Sequence, residues 1–141
     1  MQIKPTLGFT DARTLAAGCL ESASNLGVSV SIAIVDEAGK LIHFIRMDEA
    51  RAYTADLAIR KAQSSAAVGV PTSLLEALAK ERPMQDVLAL RGGIPFLYNG
   101  KSAGAVGVSG AKPEVDDAIA AAGIAAMAAL IPSNLGDCAL D

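Results

Sequence analysis

The stretch Arg91-Gly92-Gly93-Ile94-Pro95-Phe96, then Asn99-Gly100-Lys101, then Gly104-Ala105-Val106-Gly107-Val108-Ser109-Gly110, limits the fold more than any other part of the chain. Two short apolar runs flank Asn99-Gly100. An Asn-Gly pair between strand-like runs predicts a β-hairpin, because a type I′ turn requires positive φ at both central residues. Glycine weakens a strand, so Gly104, Gly107 and Gly110 need a reason. The usual reasons are a bulge, or close approach by another backbone or a ligand. Two readings stand open. One is tight packing of an alanine-rich helix on the sheet. The other is a ligand pocket at the Gly92-Gly93 and Ser109-Gly110 ends.

A chain of 141 residues can form one domain with a real core. It is 52% hydrophobic but only 4% aromatic, with no Trp, so that core must be built from Ala, Val, Leu and Ile. The net charge of -3 lacks the basic footprint of a nucleic-acid binder, and no nucleic-acid partner is expected. No apolar run reaches the ~18 residues of a membrane span. Ala118 to Ile131 comes nearest, so no membrane partner is expected either. Met1-Gln2-Ile3-Lys4-Pro5 lacks the apolar centre of a signal peptide, which makes the cytoplasm the expected location.

Thr10 reads as a helix N-cap, and apolar residues follow at Ala12, Leu15, Ala16, Cys19, Leu20, Ala23 and Leu26, with Gly27 as the stop. Val28 to Asp36 and Lys40 to Met47 predict two strands of a hairpin. The second is apolar almost throughout, which predicts cover on both sheet faces. Thr54 reads as the cap of a helix to about Val68, with the apolar line Ala55, Ala58, Ile59, Ala62, Ala66 and Gly69 as its end. Thr72 reads as the cap of a short helix that stops before Pro83. Met84 to Arg91 is expected to be irregular with a helical turn. After the glycine-marked hairpin, Pro113 opens a helix to about Leu130, with Glu114, Asp116 and Asp117 at its positive end and Val115, Ile119, Ala122, Ala126 and Leu130 inward. Residues 1–131 thus form one domain, and 132–141 read as a flexible C-terminal tail. Hairpins interleaved with helices predict an α+β domain, one sheet with helices on both faces.

Two tempting motifs fail. Gly100-Lys101-Ser102 has Pro95 where a phosphate loop needs glycine, and a strand follows it instead of a helix. Gly104-x-x-Gly107-x-x-Gly110 lacks the dinucleotide spacing. His43 is the single histidine, and Cys19 and Cys138 are far apart, so no classical zinc site can be assembled and no metal site is assigned. His43 lies mid-strand. It is read either as a hydrogen-bonded core or interface residue, or as a haem ligand, metal ligand or proton carrier. Cys19 reads as a small core residue and Cys138 as a free thiol in the tail. Lys61, between Ala58 and Ala62, either snorkels along its helix or stands half-buried, ready for an anion or for acid–base work. Asp116 and Asp117 read most simply as partners of the helix dipole.

Several pieces occur together and in order: Ala33-Ile34-Val35-Asp36-x-x-Gly39-x-Leu41, Arg46-Met47-Asp48, Ala58-x-x-Lys61-Ala62, Gly92-Gly93-Ile94-Pro95, Gly104-x-x-Gly107-Val108-Ser109-Gly110 and Pro113-Glu114-x-Asp116. Over residues 6–131 the chain resembles the GlcG/HbpS-like family of haem-degrading proteins. That resemblance implies a profilin-like α/β/α fold with a five-stranded antiparallel sheet, the extra strand near Ile3–Leu7 or within one hairpin. It also implies assembly into homo-oligomers and, in some members, binding of haem or a related ligand.

The expected site lies where the second strand ends near the Gly92-Gly93 loop and Ser109-Gly110. Arg46 offers a planar fork for a carboxylate and Lys61 a second positive charge. Asp48 is a candidate proton acceptor, and the Gly92 and Gly93 amides are expected to be open to a small anionic ligand, with Pro95, Ser109 and Gly110 beside them. Two functions follow, with a purely structural role as a third reading. One is a binding module for haem or another anionic ligand. The other is a small cofactor-independent isomerase or tautomerase acting on a carboxylated metabolite, with Asp48 and Lys61 as catalytic groups and Arg46 and Lys61 holding the carboxylate.

Overall fold

A computed structural model describes residues 1–131; the expectations for the tail and Cys138 fall outside the described residues. The order is α1 (Phe9–Leu26), β1 (Ser31–Asp36), β2 (Leu41–Arg46), α2 (Tyr53–Val68), α3 (Thr72–Ala79), β3 (Gly93–Tyr98), β4 (Lys101–Ser109) and α4 (Pro113–Ala128). This is the predicted sequence of helix, hairpin, two helices, hairpin, helix.

The glycine stops and the proline start are legible in the sequence, and the threonine starts are not. Gly27 and Gly69 close α1 and α2 in the left-handed region, at φ 70° and 80°. Pro113 opens α4. None of the three predicted threonine caps acts as one. α1 begins after Gly8, whose N–H donates to the Asp11 carboxylate at 2.8 Å. Thr54 lies inside α2, 2.6 Å from the Arg51 carbonyl and 2.9 Å from Ser31 Oγ. Thr72 is the first residue of α3, and its hydroxyl bonds β3 instead. The helical turn expected within Met84–Arg91 is absent; that segment is irregular.

Among the described residues the sheet is antiparallel and has four strands in the order β2-β1-β4-β3, which corrects the expected five. At Ile3–Leu7 the chain contributes no strand. Only the Leu7 N–H reaches β4, at the Ala103 carbonyl (2.8 Å), just past Gly104, the last residue of β4 that β1 pairs. Asn99 and Gly100 join β3 to β4 with φ 53° and 74°, the positive pair that a type I′ turn requires.

Helices cover both faces. Ile32, Ile34, Val106 and Val108 point to α1 and α4, where Leu15, Cys19 and Ile119 complete the larger core. Ala33, Val35 and Ala105 point the other way, to Ala58, Ala62 and Ala66 of α2. Small residues on both sides bring α2 close to the sheet. At Gly107 a Cβ would overlap the Ala58 carbonyl and stand 2.6 Å from the Ala62 nitrogen. Helix packing, the plainer of the two readings, accounts for that glycine. On α4 the inward residues are Asp116, Ile119, Ala120 and Gly123, while Leu130 is exposed.

β2 departs from expectation. It is an edge strand, exposed at Leu41 and Arg46 and half-buried between them, so the cover expected on its two faces is only partial. Among the described residues no helix is long and apolar enough to cross a membrane.

Candidate functional site

Lys61 lies on the sheet-facing side of α2 because Ala58 and Ala62 flank it on the inner line. Its ammonium donates to the Val108 carbonyl at 2.9 Å and stands 3.3 Å from Asp116 Oδ2 of α4. Both side chains are almost fully buried, at 5% and 4% exposure. Neither snorkelling nor half-burial describes this lysine. Gly92 makes room for it: the backbone there has φ +124°, and a Cβ would lie 3.0 Å from Lys61 Nζ. Burial pushes the Asp116 carboxyl above its ordinary value, while the Ala111 N–H, the Lys61 ammonium and the Gly110 N–H pull it back.

The Gly92 and Gly93 amides, expected to be open to a ligand, are engaged within the chain. Gly92 N–H donates to Asp117 Oδ1 at 2.8 Å, and Gly93 N–H donates to Thr72 Oγ1 at 2.9 Å. Asp116 and Asp117 are therefore more than dipole partners. They stand where the sequence reading put the carboxylate of a ligand.

A cleft of about 200 Å³ remains above this cluster, lined by Lys61, Ser109, Gly110 and Asp116 together with Glu76 and Arg91. Arg91 lies 3.5 Å from both Glu76 and Asp117. Sequence reasoning did not assign Arg91, Glu76, Thr72 or the two aspartates to the site. Its available signals were the position of Arg91 next to Gly92 and of the aspartate pair just after Gly110.

The structure brings Lys61, Gly92, Gly93, Ser109 and Gly110 together, and leaves Arg46 and Asp48 out. Pro95 is buried within β3, opposite Ala105. Arg46 pairs with Ser31, which pairs with Ser109, so two strand spacings, about 10 Å, separate it from the cleft. Both Arg46 and Asp48 are exposed. An isomerase or tautomerase site that joins Arg46, Asp48 and Lys61 finds no support in this geometry.

A second cavity lies across the sheet, between α1 and β2. It is an open groove of about 550 Å³ lined by Thr10, Arg13, Thr14, Ala17, Leu20, His43 and Ile45. The His43 ring meets Phe9 edge to face, with centroids 6.4 Å apart at 83°. The Arg13 guanidinium stands 5.6 Å from the centre of the same Phe9 ring. His43 is half-buried.

Residues 7–125 match the profile of the family described as haem degrading protein HbpS-like. The chain is 32% identical over 114 residues to GlcG of Escherichia coli K12, covering 77% of this chain and 85% of GlcG. Its fold is similar to that of Klebsiella pneumoniae ORFY, with a TM-score of 0.87, 27% identity, and coverage of 93% of this chain and 97% of ORFY. It is also similar to PduOC in a haem complex, with a TM-score of 0.79, 29% identity, and coverage of 86% and 94%. The family match spans both the cluster around Lys61 and the groove beside His43, and on these grounds the chain belongs to the HbpS-like family of haem-degrading proteins.

Proposed function

We propose that the chain is a small-molecule binding protein whose ligand is haem or another flat anionic molecule. The observation that carries this reading is the likeness to PduOC, a protein solved as its haem complex. Haem supplies a redox-active iron when bound; the chain must supply an apolar seat, a cation for the propionates and a donor atom for the metal. The donor set by the α1–β2 groove fits that demand, with His43, Arg13, Leu20 and Ile45 around a space of about 550 Å³. The Lys61 cleft fits a smaller group. Its 200 Å³ falls below the ~300 Å³ at which drug-sized ligand pockets begin, and its two cations already face three carboxylates.

Self-association belongs to the same reading. Phe9, Leu26, Tyr53 and Leu130 are each more than half exposed, a large apolar display for a chain of this size.

The test is a titration of the purified protein with haemin and, in parallel, with a panel of small carboxylates, followed by absorbance and calorimetry. A saturable Soret band at one haem per chain is the expected result. No Soret change with saturable carboxylate binding would replace haem with a smaller ligand, and no binding at all would overturn the reading.

A further inference from the structure

We infer that His43 ligates the iron of a haem seated in the groove between α1 and β2, with Arg13 against a propionate. This rests on the reading that the chain binds haem, and it names the seat and the ligand. On the α1-facing side of β1 and β2 the neighbours Ile32, Ile34 and Ile45 are aliphatic, and His43, paired with Ile34, breaks that pattern. His43 is half-buried, and its ring nitrogens remain within reach of solvent, so the interior demands no hydrogen bond of them. Among the described residues, neither of its ring nitrogens has a hydrogen-bond partner, and Phe9 holds the ring from the side. The imidazole thus lines the groove with its donor atoms uncommitted. It is the only imidazole in the chain.

The rest of the groove suits the same occupant. Leu20, Ile45 and Ala17 supply apolar wall. Arg13 is in no ion pair among the described residues, unlike Lys61 and Arg91, so its charge is available to a carboxylate. The other cavities match less well. One of about 620 Å³ is lined by Glu37, Lys40, Arg60 and Asp86, where charges of both signs oppose each other. One of about 240 Å³, beside Phe96 and Tyr98, has Asp11 as its charged group, which would repel propionates.

The experiment is haemin titration of the full chain and of His43→Leu, Arg13→Ala and Ala17→Glu, with absorbance and electron paramagnetic resonance spectra of each. His43→Leu suits its aliphatic surroundings, and Arg13 and Ala17 are exposed on α1, so the last two variants are expected to keep the fold. His43→Leu is expected to remove the signature of nitrogen ligation, and added imidazole to restore it. Arg13→Ala and Ala17→Glu should each weaken binding roughly 10-fold or more. A parent protein that binds no haem sinks the functional reading itself. A parent that binds haem with a spectrum unchanged in His43→Leu, or with affinity unchanged in Ala17→Glu, leaves that reading standing and overturns this seat. If His43→Leu does not fold, the Ala17→Glu result decides alone.

Discussion

The Lys61 ammonium and the Asp116 carboxylate, 55 positions apart in the chain, meet at 3.3 Å in the interior, and the same ammonium caps the Val108 carbonyl of β4. One side chain therefore ties α2, β4 and α4 together. A pair this deep must offset the loss of hydration of both charges, and the Ala111 N–H at 2.9 Å from Asp116 Oδ1 helps it do so.

Breaking the pair from one side should cost more than removing it. Lys61→Ala leaves a buried carboxylate without its cation, and about 3–5 kcal/mol of stability is expected to go. The double variant Lys61→Met/Asp116→Leu should lose clearly less. Urea unfolding of the three proteins checks the order, and a double variant less stable than Lys61→Ala would contradict it.

The Asp116 carboxyl titrates above its ordinary value in the folded chain because burial disfavours its charge. A raised folded value means that the folded state holds this proton more tightly than the unfolded state. The stabilising contribution is therefore complete below the unfolded value and is lost as pH rises through the folded value. Measured as the difference between parent and Asp116→Asn, stability should shift in the parent's favour on acidification toward the ordinary carboxylate range. A difference that moves the other way would show the charged form to be the favoured one.

Gly107→Ala should destabilise the chain although it adds only a methyl group. The new atom meets the Ala58 carbonyl and the Ala62 nitrogen, which are backbone groups of a helix that cannot turn aside singly. About 1–3 kcal/mol or more is expected from such overpacking. Thermal unfolding of the variant gives the answer, and a midpoint equal to that of the parent would mean that α2 moves off the sheet freely.

Cys19 is packed under Gly123, and burial pushes its thiol up to about 12. In a Cys138→Ala background, which isolates this thiol, a disulfide reagent at pH 8 should leave the native protein untouched and react fully in denaturant. Rapid native labelling would reveal an opening between α1 and α4.

Self-association, proposed from the exposed apolar residues, should appear in sedimentation at micromolar concentration as a species heavier than the 14.3 kDa chain. A single species at the chain mass would end that proposal.

Local chemistry carried the parts of the fold that the sequence made legible. Asn99-Gly100, Gly27, Gly69 and Pro113 each impose a backbone state on their own, and each sits where that state is used. The threonines misled because a hydroxyl near a helix start can serve a tertiary partner as readily as a cap; Thr54 bonds Ser31 of β1 and Thr72 bonds Gly93 of β3. The run Leu41–Ile45 could not reveal that it lies at an edge, since partial cover on two faces selects the same residues as full cover. In the candidate site, the sequence marked Lys61 and the glycines correctly as neighbours. Their partner was not legible, because nothing local distinguishes an aspartate that serves a helix dipole from one that also crosses the core to a lysine.

The position of Pro95 on β3 also bears on how the sheet ends. β3 and β2 are its two margins, and only the β3 margin contains a residue without an N–H to offer. A further strand arriving at β3 would meet a missing donor, whereas one arriving at Leu41–Arg46 would meet a margin without proline. Among the described residues, the sheet thus carries a guard against growth at its β3 side and none of that kind at its β2 side.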